Sequence, residues 1–346
     1  MNIFSKVRQF WRAGGGESRR VLAELESRRV LAELSAMEQR SEQRARDFSQ
    51  NLVDRNTFHS ALNTLADRIA GLERYIMSAQ NEIRLEFDRS RWRNGSSVNE
   101  KSASLYLDLL ESVLTGQLHR DGALSSVGDQ AHDPIRRSLG RDWPVSAETM
   151  IGTVRMRNLR NLLESALQLG VQGDFIETGV WRGGACIYAR AILDAHGESE
   201  RKVFVADSFK GLPSPDAKTY PADEGDQHYK FAELAISRDQ VANNFERFGL
   251  LNENVIFLEG WFKDTLREAP IDKLCVLRLD GDLYESTIVA LNALYHKLEP
   301  GGFVIVDDYL LPNCAKAVAD FRAAKEIVAP LHDVDGAAVW WQVPKN

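Results

Sequence analysis

Short apolar runs alternate with amphipathic helical segments over the second half of the chain. Apolar positions within 159–167 and within 187–193 follow helical spacing, and Gly170 is placed to end the first of these helices. Four runs have the length of buried strands, and an acidic residue stands at or just beyond the end of each: 174–177, 203–206, 274–279 and 303–306. Strands that alternate with helices predict an α/β fold with a Rossmann-like, doubly wound sheet.

The first third of the chain has a different pattern, with no proline before Pro134. Strong helix formers dominate residues 17–93, and apolar residues from Phe58 to Ile83 recur mostly in steps of four and three, the heptad pattern of a coiled coil. Because a single helix cannot bury such a stripe, we interpret residues 17–93 as a coiled coil that makes the protein a homo-oligomer. The alternative is a solvated helix that folds back on the C-terminal domain.

The residues before this region predict contact with a surface. Bulky apolar and aromatic side chains share one helical face of residues 3–12 with cations beside them, before the glycines at 14–16. This pattern is typical of a helix that lies in a membrane interface, and a partner-binding or disordered tail is the alternative. The predicted organisation is an amphipathic segment over 1–16, the coiled coil over 17–93, a linker over 94–104 and an α/β domain over 105–346.

The composition excludes some classes of protein. Forty-three Lys and Arg residues against 50 Asp and Glu residues give a net charge of −7, which argues against a nucleic-acid partner because the phosphate backbone requires a basic face. The three cysteines lack zinc-ligand spacing, and their small, odd number fits a reducing cytoplasm. No apolar run reaches the length of a membrane span. We therefore expect a cytoplasmic protein whose only membrane contact is peripheral, on the inner face.

A glycine-rich turn follows the first predicted strand. Backbone N–H groups in such a turn can approach a polar or anionic ligand, and the helix that follows adds positive potential at its N-terminus. Trp181 occupies a position where a dinucleotide fingerprint requires glycine. The spacing of Glu177, Gly179 and Gly183 instead resembles the first motif of class I S-adenosylmethionine-dependent methyltransferases. Asp207, at the end of the second strand, is placed to accept both ribose hydroxyls of an adenosyl ligand.

Aspartates follow the two remaining predicted strands. Asp280 and Asp282 come after the third strand, and Asp307 and Asp308 come after the fourth. Because the carboxyl ends of parallel strands share one edge of a sheet, these carboxylates are expected to converge beside the cofactor. Several carboxylates in one place need a counter-charge, and oxygen-only ligation favours Mg²⁺ over zinc. The alternative is that Asp282 or Asp308 only caps the helix that follows it.

Eight stretches carry a further resemblance and keep their order along the chain: LYLDLL at 105–110, GRDWP at 140–144, TMIG at 149–152, FIETGVWRGG at 175–184, DSFKGLP at 207–213, GWFKDT at 260–265, LDGDLYEST at 279–287 and VDDY at 306–309. With them, residues from about 105 to 343 resemble the macrocin and mycinamicin type of sugar O-methyltransferase, which includes the aminocoumarin noviose enzymes. The resemblance implies transfer of the methyl group of S-adenosylmethionine to a hydroxyl of a deoxysugar, with a required Mg²⁺.

The same resemblance implies roles for individual residues. For the cofactor, Thr149 and Met150 close over it, Glu177, Gly179, Val180 and Trp181 form the turn at its methionine end, Asp207 and Ser208 meet the ribose, and Ser237, Trp261 and Phe262 flank the adenine. The metal ligands are Asp280, Asp307 and Asp308, and the residue that touches the acceptor sugar is Tyr284.

A sugar hydroxyl is a weak nucleophile at neutral pH, so the reaction needs assistance. Coordination of two adjacent hydroxyls to Mg²⁺ lowers the barrier and orients one oxygen towards the sulfonium methyl group. A carboxylate then takes the proton, and we expect Asp280 to be this base, with Asp282 as the alternative. Residues 214–236, with two prolines, one glycine and many charges, are expected to form a mobile lid that selects the acceptor.

Two other functions fit the same residues. A metal-dependent methyltransferase of a catechol-like, non-sugar small molecule would share the cofactor and the metal. A coiled-coil scaffold with a relic methyltransferase domain would tend to have lost part of the site, yet all the acidic site positions are present. We expect a sugar or glycoconjugate acceptor. The N-terminal extension is consistent with an enzyme that acts on a membrane-bound glycan.

Overall fold

The computed structural model describes residues 98–127 and 131–345. The predicted amphipathic segment and coiled coil, with the membrane contact and the homo-oligomer that rest on them, lie outside the described residues. In the part of the chain that is described, no helix is both long enough and apolar enough to cross a bilayer. The first helix of the described residues begins at Val98, so residues 98–104 of the predicted linker are helical.

In the part of the chain that the structure describes, seven strands form one mixed sheet: β1 (Asp174–Thr178), β2 (Val203–Asp207), β3 (Val255–Glu259), β4 (Leu274–Leu279), β5 (Leu298–Val306), β6 (His332–Asp333) and β7 (Val339–Gln342). Their spatial order is β3-β2-β1-β4-β5-β7-β6. Strands β1 to β5 pair parallel with one another, whereas β7 pairs antiparallel with β5 and with β6. The four predicted strands are confirmed as β1, β2, β4 and the second half of β5.

Helices cover both faces of the sheet. Within the described residues they are α1 (Val98–Leu114), α2 (Pro134–Ser138), α3 (Gly152–Gln168), α4 (Gly184–Ala195), α5 (Arg238–Arg247), α6 (Phe262–Thr265), α7 (Tyr284–Leu294) and α8 (Pro312–Ala324). One hydrophobic cluster joins the sheet to α1, α3, α4 and α5, and a second joins its other face to α7 and α8. The predicted doubly wound α/β fold is confirmed for this part of the chain.

Neighbouring residues of a strand belong to opposite clusters. Phe175 packs in the cluster of α3 and α4, whereas Ile176 packs in the cluster of α7 and α8. Val205 and Phe204 divide in the same way on β2. Because both faces of the sheet are covered, the central positions of β1 and β2 are apolar, and their polar residues stand at the ends of the strands. The polar residues that end the strands therefore mark where the sheet meets the site.

Candidate active site

The carboxyl ends of β1, β4 and β5 are held in register. Thr178 pairs with Leu279, which in turn pairs with Val306. The hydrogen bonding continues one residue further, because the N–H of Asp280 donates to the carbonyl of Thr178 (2.9 Å) and the N–H of Asp307 donates to that of Leu279 (2.8 Å). The turn after β1 and the acidic residues after β4 and β5 are therefore neighbours.

The glycine-rich turn after β1 lies directly against the acidic loop after β4. Gly179 has a φ of 88°, and a Cβ at this position would lie 2.7 Å from the carbonyl carbon of Asp280 and overlap its oxygen. Three residues other than glycine also have positive φ in the turns after β1, β2 and β4: Trp181 (48°), Phe209 (55°) and Asp282 (57°). Backbone strain of this kind persists where the surrounding structure holds a functional geometry.

Gly179→Ala is expected to lower the free energy of unfolding by about 3–4 kcal/mol, because the left-handed backbone and the overlap with Asp280 both add cost. Gly197→Ala is the matched control, since Gly197 has a φ of 75° but a Cβ there would meet nothing within 4 Å. Its expected loss is about 1–2 kcal/mol, from the backbone alone. Urea denaturation measures both losses, and equal values would contradict the close approach.

Asp207 supports the cofactor turn from the end of β2. Its carboxylate accepts hydrogen bonds from the backbone N–H groups of Val180 (2.8 Å) and Phe209 (2.7 Å). Next to it, the hydroxyl of Ser208 donates to the carbonyl of Gly211 (2.6 Å). Burial raises the pKa of Asp207 although the backbone donors act in the opposite direction. Its contact with a ribose stays a prediction, and what the contacts establish is that this carboxylate shapes the turn.

Three carboxylates form a cluster at the same edge of the sheet. One oxygen of each of Asp280, Asp307 and Asp308 lies within 4.8 Å of the others. Asp308 also accepts a hydrogen bond from the backbone N–H of Asp282 at 2.9 Å, which fixes the loop after β4 to the end of β5. The aspartates predicted to converge are thus brought together.

Two arginines that the sequence analysis missed reach this cluster. Arg278, on β4, pairs with Asp280 at 2.7 Å. The same buried guanidinium donates to Glu177 and to Asp307. Arg155, on α3, donates to the second oxygen of Asp307. These contacts supply part of the counter-charge that the sequence analysis assigned to a metal ion alone.

The arginines do not neutralise the whole cluster. Burial, followed by carboxylate neighbours, raises the pKa of Asp280 to about 6 and that of Asp282 to about 7. The same causes raise the pKa of Asp308 well above its usual range. Burial raises the pKa of Glu177 to about 7 even though Arg278 acts in the opposite direction. Carboxylates outnumber cations here, an arrangement that a bound cation would stabilise.

The predicted lid is tied to the rest of the domain at two points. Near its middle, Asp223 is buried and accepts hydrogen bonds from the backbone N–H groups of Tyr284 (2.7 Å) and Glu285 (2.9 Å), at the start of α7. Near its C-terminal end, the carbonyl of Glu233 accepts a hydrogen bond from the indole N–H of Trp181 (2.9 Å). The cofactor turn and helix α7 therefore both hold the lid.

Asp223→Ala is expected to release this anchor, because α7 loses its N-terminal acceptor. We expect the protection of backbone amides in residues 214–236 against hydrogen exchange to fall about tenfold, in line with the usual cost of a lost helix cap. Asp223→Asn keeps one acceptor oxygen, so its amide protection should lie between that of Asp223→Ala and that of the wild type. Unchanged exchange in Asp223→Ala would contradict the anchoring role.

These elements enclose a cavity of about 290 Å³. The residues from the sequence analysis that line it are Thr149, Met150, Glu177, Gly179, Val180, Trp181, Asp207, Ser208, Trp261, Phe262, Asp280, Asp282, Asp307 and Asp308. Ser237 and Tyr284 are not brought to the cavity. Ser237 instead caps α5, where its hydroxyl accepts from the N–H of Gln240 (3.2 Å), and the hydroxyl of Tyr284 donates to Asp320 on α8 (2.8 Å).

The fold and the site together define a class of protein. This strand order, with a glycine-rich turn after β1 and an acidic residue that ends β2, is that of a class I S-adenosylmethionine-dependent methyltransferase. The chain belongs to the macrocin-O-methyltransferase (TylF) family, which matches residues 103–343. The family resemblance carried by the eight sequence stretches is confirmed, and the protein is an O-methyltransferase.

Known relatives match the same part of the chain. The 8-demethyl-8-(2,3-dimethoxy-α-L-rhamnosyl)-tetracenomycin-C 4'-O-methyltransferase of Streptomyces olivaceus is 49% identical over 247 residues, which are 71% of this chain and 95% of that protein. The demethyldecarbamoylnovobiocin O-methyltransferase of Streptomyces niveus is 48% identical over 245 residues, 69% of this chain and 94% of that protein. The structure of the O-methyltransferase NovP has a TM-score of 0.68 at 47% identity and covers 70% of this chain and 100% of that one.

Proposed function

We propose that the protein transfers the methyl group of S-adenosylmethionine to a hydroxyl of a sugar, assisted by Mg²⁺ held beside the cofactor. The observation that carries the proposal is the cluster of Asp280, Asp307 and Asp308 next to the cofactor turn, in one cavity with Asp282. The Streptomyces olivaceus relative, which is 49% identical, is named for a rhamnosyl acceptor, and this favours a deoxysugar or a glycoconjugate here.

The donor set of the cluster fits Mg²⁺. Asp280, Asp307 and Asp308 offer only carboxylate oxygens, which are the ligands that this ion prefers. The arginines use one oxygen of Asp280 and both oxygens of Asp307, but each carboxylate oxygen has a second acceptor position. The other oxygens of Asp280 and Asp308 accept no hydrogen bond from the described residues. Bound Mg²⁺ would polarise the acceptor hydroxyls and ease loss of a proton.

The contacts favour Asp282 as the general base, although the sequence analysis placed Asp280 first. Because Arg278 pairs with Asp280 at 2.7 Å, that carboxylate is a weaker proton acceptor. In the described residues no lysine or arginine pairs with Asp282, and burial together with Asp280 raises its pKa to about 7. A carboxylate in the cavity wall beside the proposed metal site is placed to accept the proton of the acceptor hydroxyl.

The chain also orders the two reactants. Val180 and Ala185 line the cavity at the cofactor turn and in the first turn of α4, so the positive end of this helix favours the carboxylate end of the cofactor. Trp261 and Phe262, at the start of α6, line the same cavity, and we propose that their rings flank the adenine of the cofactor. Proximity and in-line alignment of the hydroxyl with the sulfonium methyl group then supply much of the rate.

Calorimetry with S-adenosylhomocysteine, with and without Mg²⁺, followed by assays of methyl transfer, tests the proposed function. We expect S-adenosylhomocysteine to bind, and methyl transfer to the rhamnosyl tetracenomycin acceptor or to 4-nitrophenyl α-L-rhamnoside to require Mg²⁺. Transfer to catechol but to no glycoside would favour the non-sugar enzyme. Failure to bind S-adenosylhomocysteine would favour a scaffold with a relic domain.

We also propose a homo-oligomer that the coiled coil predicted over residues 17–93 holds together. In the described residues, Leu105 and Leu109 are 63% and 55% exposed and lie one helical turn apart on α1, which supports a further contact along this helix. Light scattering should give a multiple of the 38.9 kDa chain mass for the wild type and a monomer for a variant with Leu65→Glu and Leu72→Glu. An unchanged mass in the variant would remove the support for the coiled coil.

Peripheral membrane contact through residues 3–12 is a separate proposal, supported by the aromatic and cationic pattern of that segment. Co-sedimentation with vesicles that contain anionic phospholipid tests it on the full chain. We expect the wild type to sediment with the vesicles and a variant with Phe10→Ser and Trp11→Ser to stay in the supernatant. Equal partitioning of the two proteins would contradict the contact.

A further inference from the structure

His228 is the polar side chain that the lid contributes to the cavity. Of residues 214–236, His228 and Leu234 line the cavity, and the leucine has no hydrogen-bonding side chain. A sugar carries hydroxyl groups on several ring atoms, and each one that is buried without a partner weakens binding. The lid wall therefore offers an acceptor sugar one side-chain partner.

Asp226 fixes His228 at two points. One of its carboxylate oxygens accepts a hydrogen bond from the backbone N–H of His228 (2.8 Å), and the other lies 2.8 Å from Nδ1 of the ring. In a neutral imidazole, a carboxylate partner keeps the hydrogen on Nδ1, and Nε2 is then a hydrogen-bond acceptor. No described residue hydrogen-bonds to Nε2. This nitrogen is the ring atom that remains for a ligand.

Aromatic neighbours hold the imidazole from the side. The ring of Phe231 lies 6.2 Å from that of His228, and Phe231 in turn makes an edge contact with Trp143 at 5.4 Å. Trp143 itself lines the cavity. The ring is already oriented by Asp226 and restrained by these neighbours. The His228 side chain therefore loses little conformational freedom when a ligand binds to it. His228 lines the same cavity as Asp282, the proposed base.

We propose that His228, oriented by Asp226, is a positioning residue for the acceptor sugar, and that its Nε2 accepts a hydrogen bond from a ring hydroxyl other than the one that is methylated. The proposal rests on the proposed methylation of a deoxysugar. The hydrogen bond would set the rotation of the sugar ring about the reacting oxygen. It would also discriminate against acceptors in which that neighbouring hydroxyl is absent.

Three substitutions at position 228 test the proposal, with 4-nitrophenyl α-L-rhamnoside as acceptor at saturating S-adenosylmethionine and Mg²⁺. His228→Gln can place an oxygen near the position of Nε2, whereas His228→Asn reaches only the position of Nδ1 and keeps a partner for Asp226. We expect His228→Ala and His228→Asn to raise the acceptor KM about tenfold and to lower kcat by less than about threefold. His228→Gln should keep KM within about threefold of the wild type.

Two controls separate positioning from folding. Lys230→Ala changes an exposed side chain in the same 3₁₀ turn and should leave both kinetic constants unchanged. Affinity for S-adenosylhomocysteine, measured by calorimetry, should be the same in every variant. Monodeoxy rhamnosides then identify the partner hydroxyl. For the wild type, the analogue that lacks this hydroxyl should have a KM about tenfold higher than the parent rhamnoside. For His228→Ala, the same analogue should have the same KM as the parent rhamnoside.

Wild-type KM in His228→Asn would overturn the proposal, because the residue would then only tie the lid to Asp226. The proposal would also be overturned if, for every monodeoxy analogue, the loss caused by the missing hydroxyl and the loss caused by His228→Ala were additive. A wild-type enzyme that methylates none of the rhamnosides would overturn the deoxysugar acceptor and this proposal together, and that result is distinct because the wild type itself is inactive.

Discussion

Asp308→Asn is expected to lower kcat/KM for the acceptor by about 10³-fold or more, while affinity for S-adenosylhomocysteine stays within about threefold. In the described residues Asp308 is the member of the cluster without an arginine partner, and its carboxylate accepts from the N–H of Asp282 at 2.9 Å. The amide oxygen of asparagine can keep this bond. The substitution therefore removes a negative charge from the proposed metal site and leaves the loop in place. Initial rates of methyl transfer at a fixed Mg²⁺ concentration measure the loss.

Asp272→Asn, at an exposed position just before β4, is the control and should keep wild-type rates. Treatment of the wild type with EDTA should reproduce the loss, and added Mg²⁺ should restore the rate. If Asp308→Asn and EDTA both left the rate unchanged, the carboxylates would serve the fold of the strand ends and not a metal ion.

Arg278→Met is expected to lower the free energy of unfolding by about 3–5 kcal/mol, the usual cost of removing one partner from a buried ionic network. The side chain of Arg278 is 1% exposed and is shared by Glu177, Asp280 and Asp307. Methionine fills much of the same volume without a charge. The loss of stability therefore comes from three carboxylates that no longer have their shared cation. It does not come from a cavity. Urea denaturation in the absence of Mg²⁺ measures it.

Arg190→Met is the matched control for this prediction. The side chain of Arg190 is also fully buried, at 0% exposed, but the carboxylate with which it pairs, Asp194, is 33% exposed and can be solvated when the arginine is removed. We expect a smaller loss, about 1–2 kcal/mol. Equal losses in the two variants would show that Arg278 acts as an ordinary buried arginine and not as the counter-charge of the cluster.

Part of this ionic network had a signal in the sequence, and part had none. Arg278 interrupts the apolar run 274–279, and a charge in a strand that is buried on both faces requires partners. Arg155 lies 152 residues before Asp307, on α3. The apolar pattern of this helix predicts which face is buried, but it does not predict the partner of Arg155. Sequence separations of this size become contacts only when the order of the strands is known.

Ser237 and Tyr284 were assigned to the site from the sequence, but neither lines the cavity in the structure. The family resemblance implied site roles for both residues, yet in the structure Ser237 caps α5 and Tyr284 pairs with Asp320 on α8. The direction in which a side chain leaves a helix terminus depends on where the helix begins. A shift of one residue in that boundary moves the side chain by about 100° around the axis, which a motif match does not resolve.

The amino-acid sequence by itself determined the α/β class, four of the seven strands, the cofactor turn and the acidic residues at the strand ends. It could do so because strands buried on both faces are continuous apolar runs and parallel strands end at one edge. The tertiary structure decided how charge is shared there. Arg278 and Arg155 both pair with Asp307, and Arg278 also pairs with Asp280, whereas no arginine or lysine among the described residues pairs with Asp282. Asp226 orients His228 in the cavity wall. Electrostatic interactions depend on distance and burial, and these quantities exist only once the chain is folded.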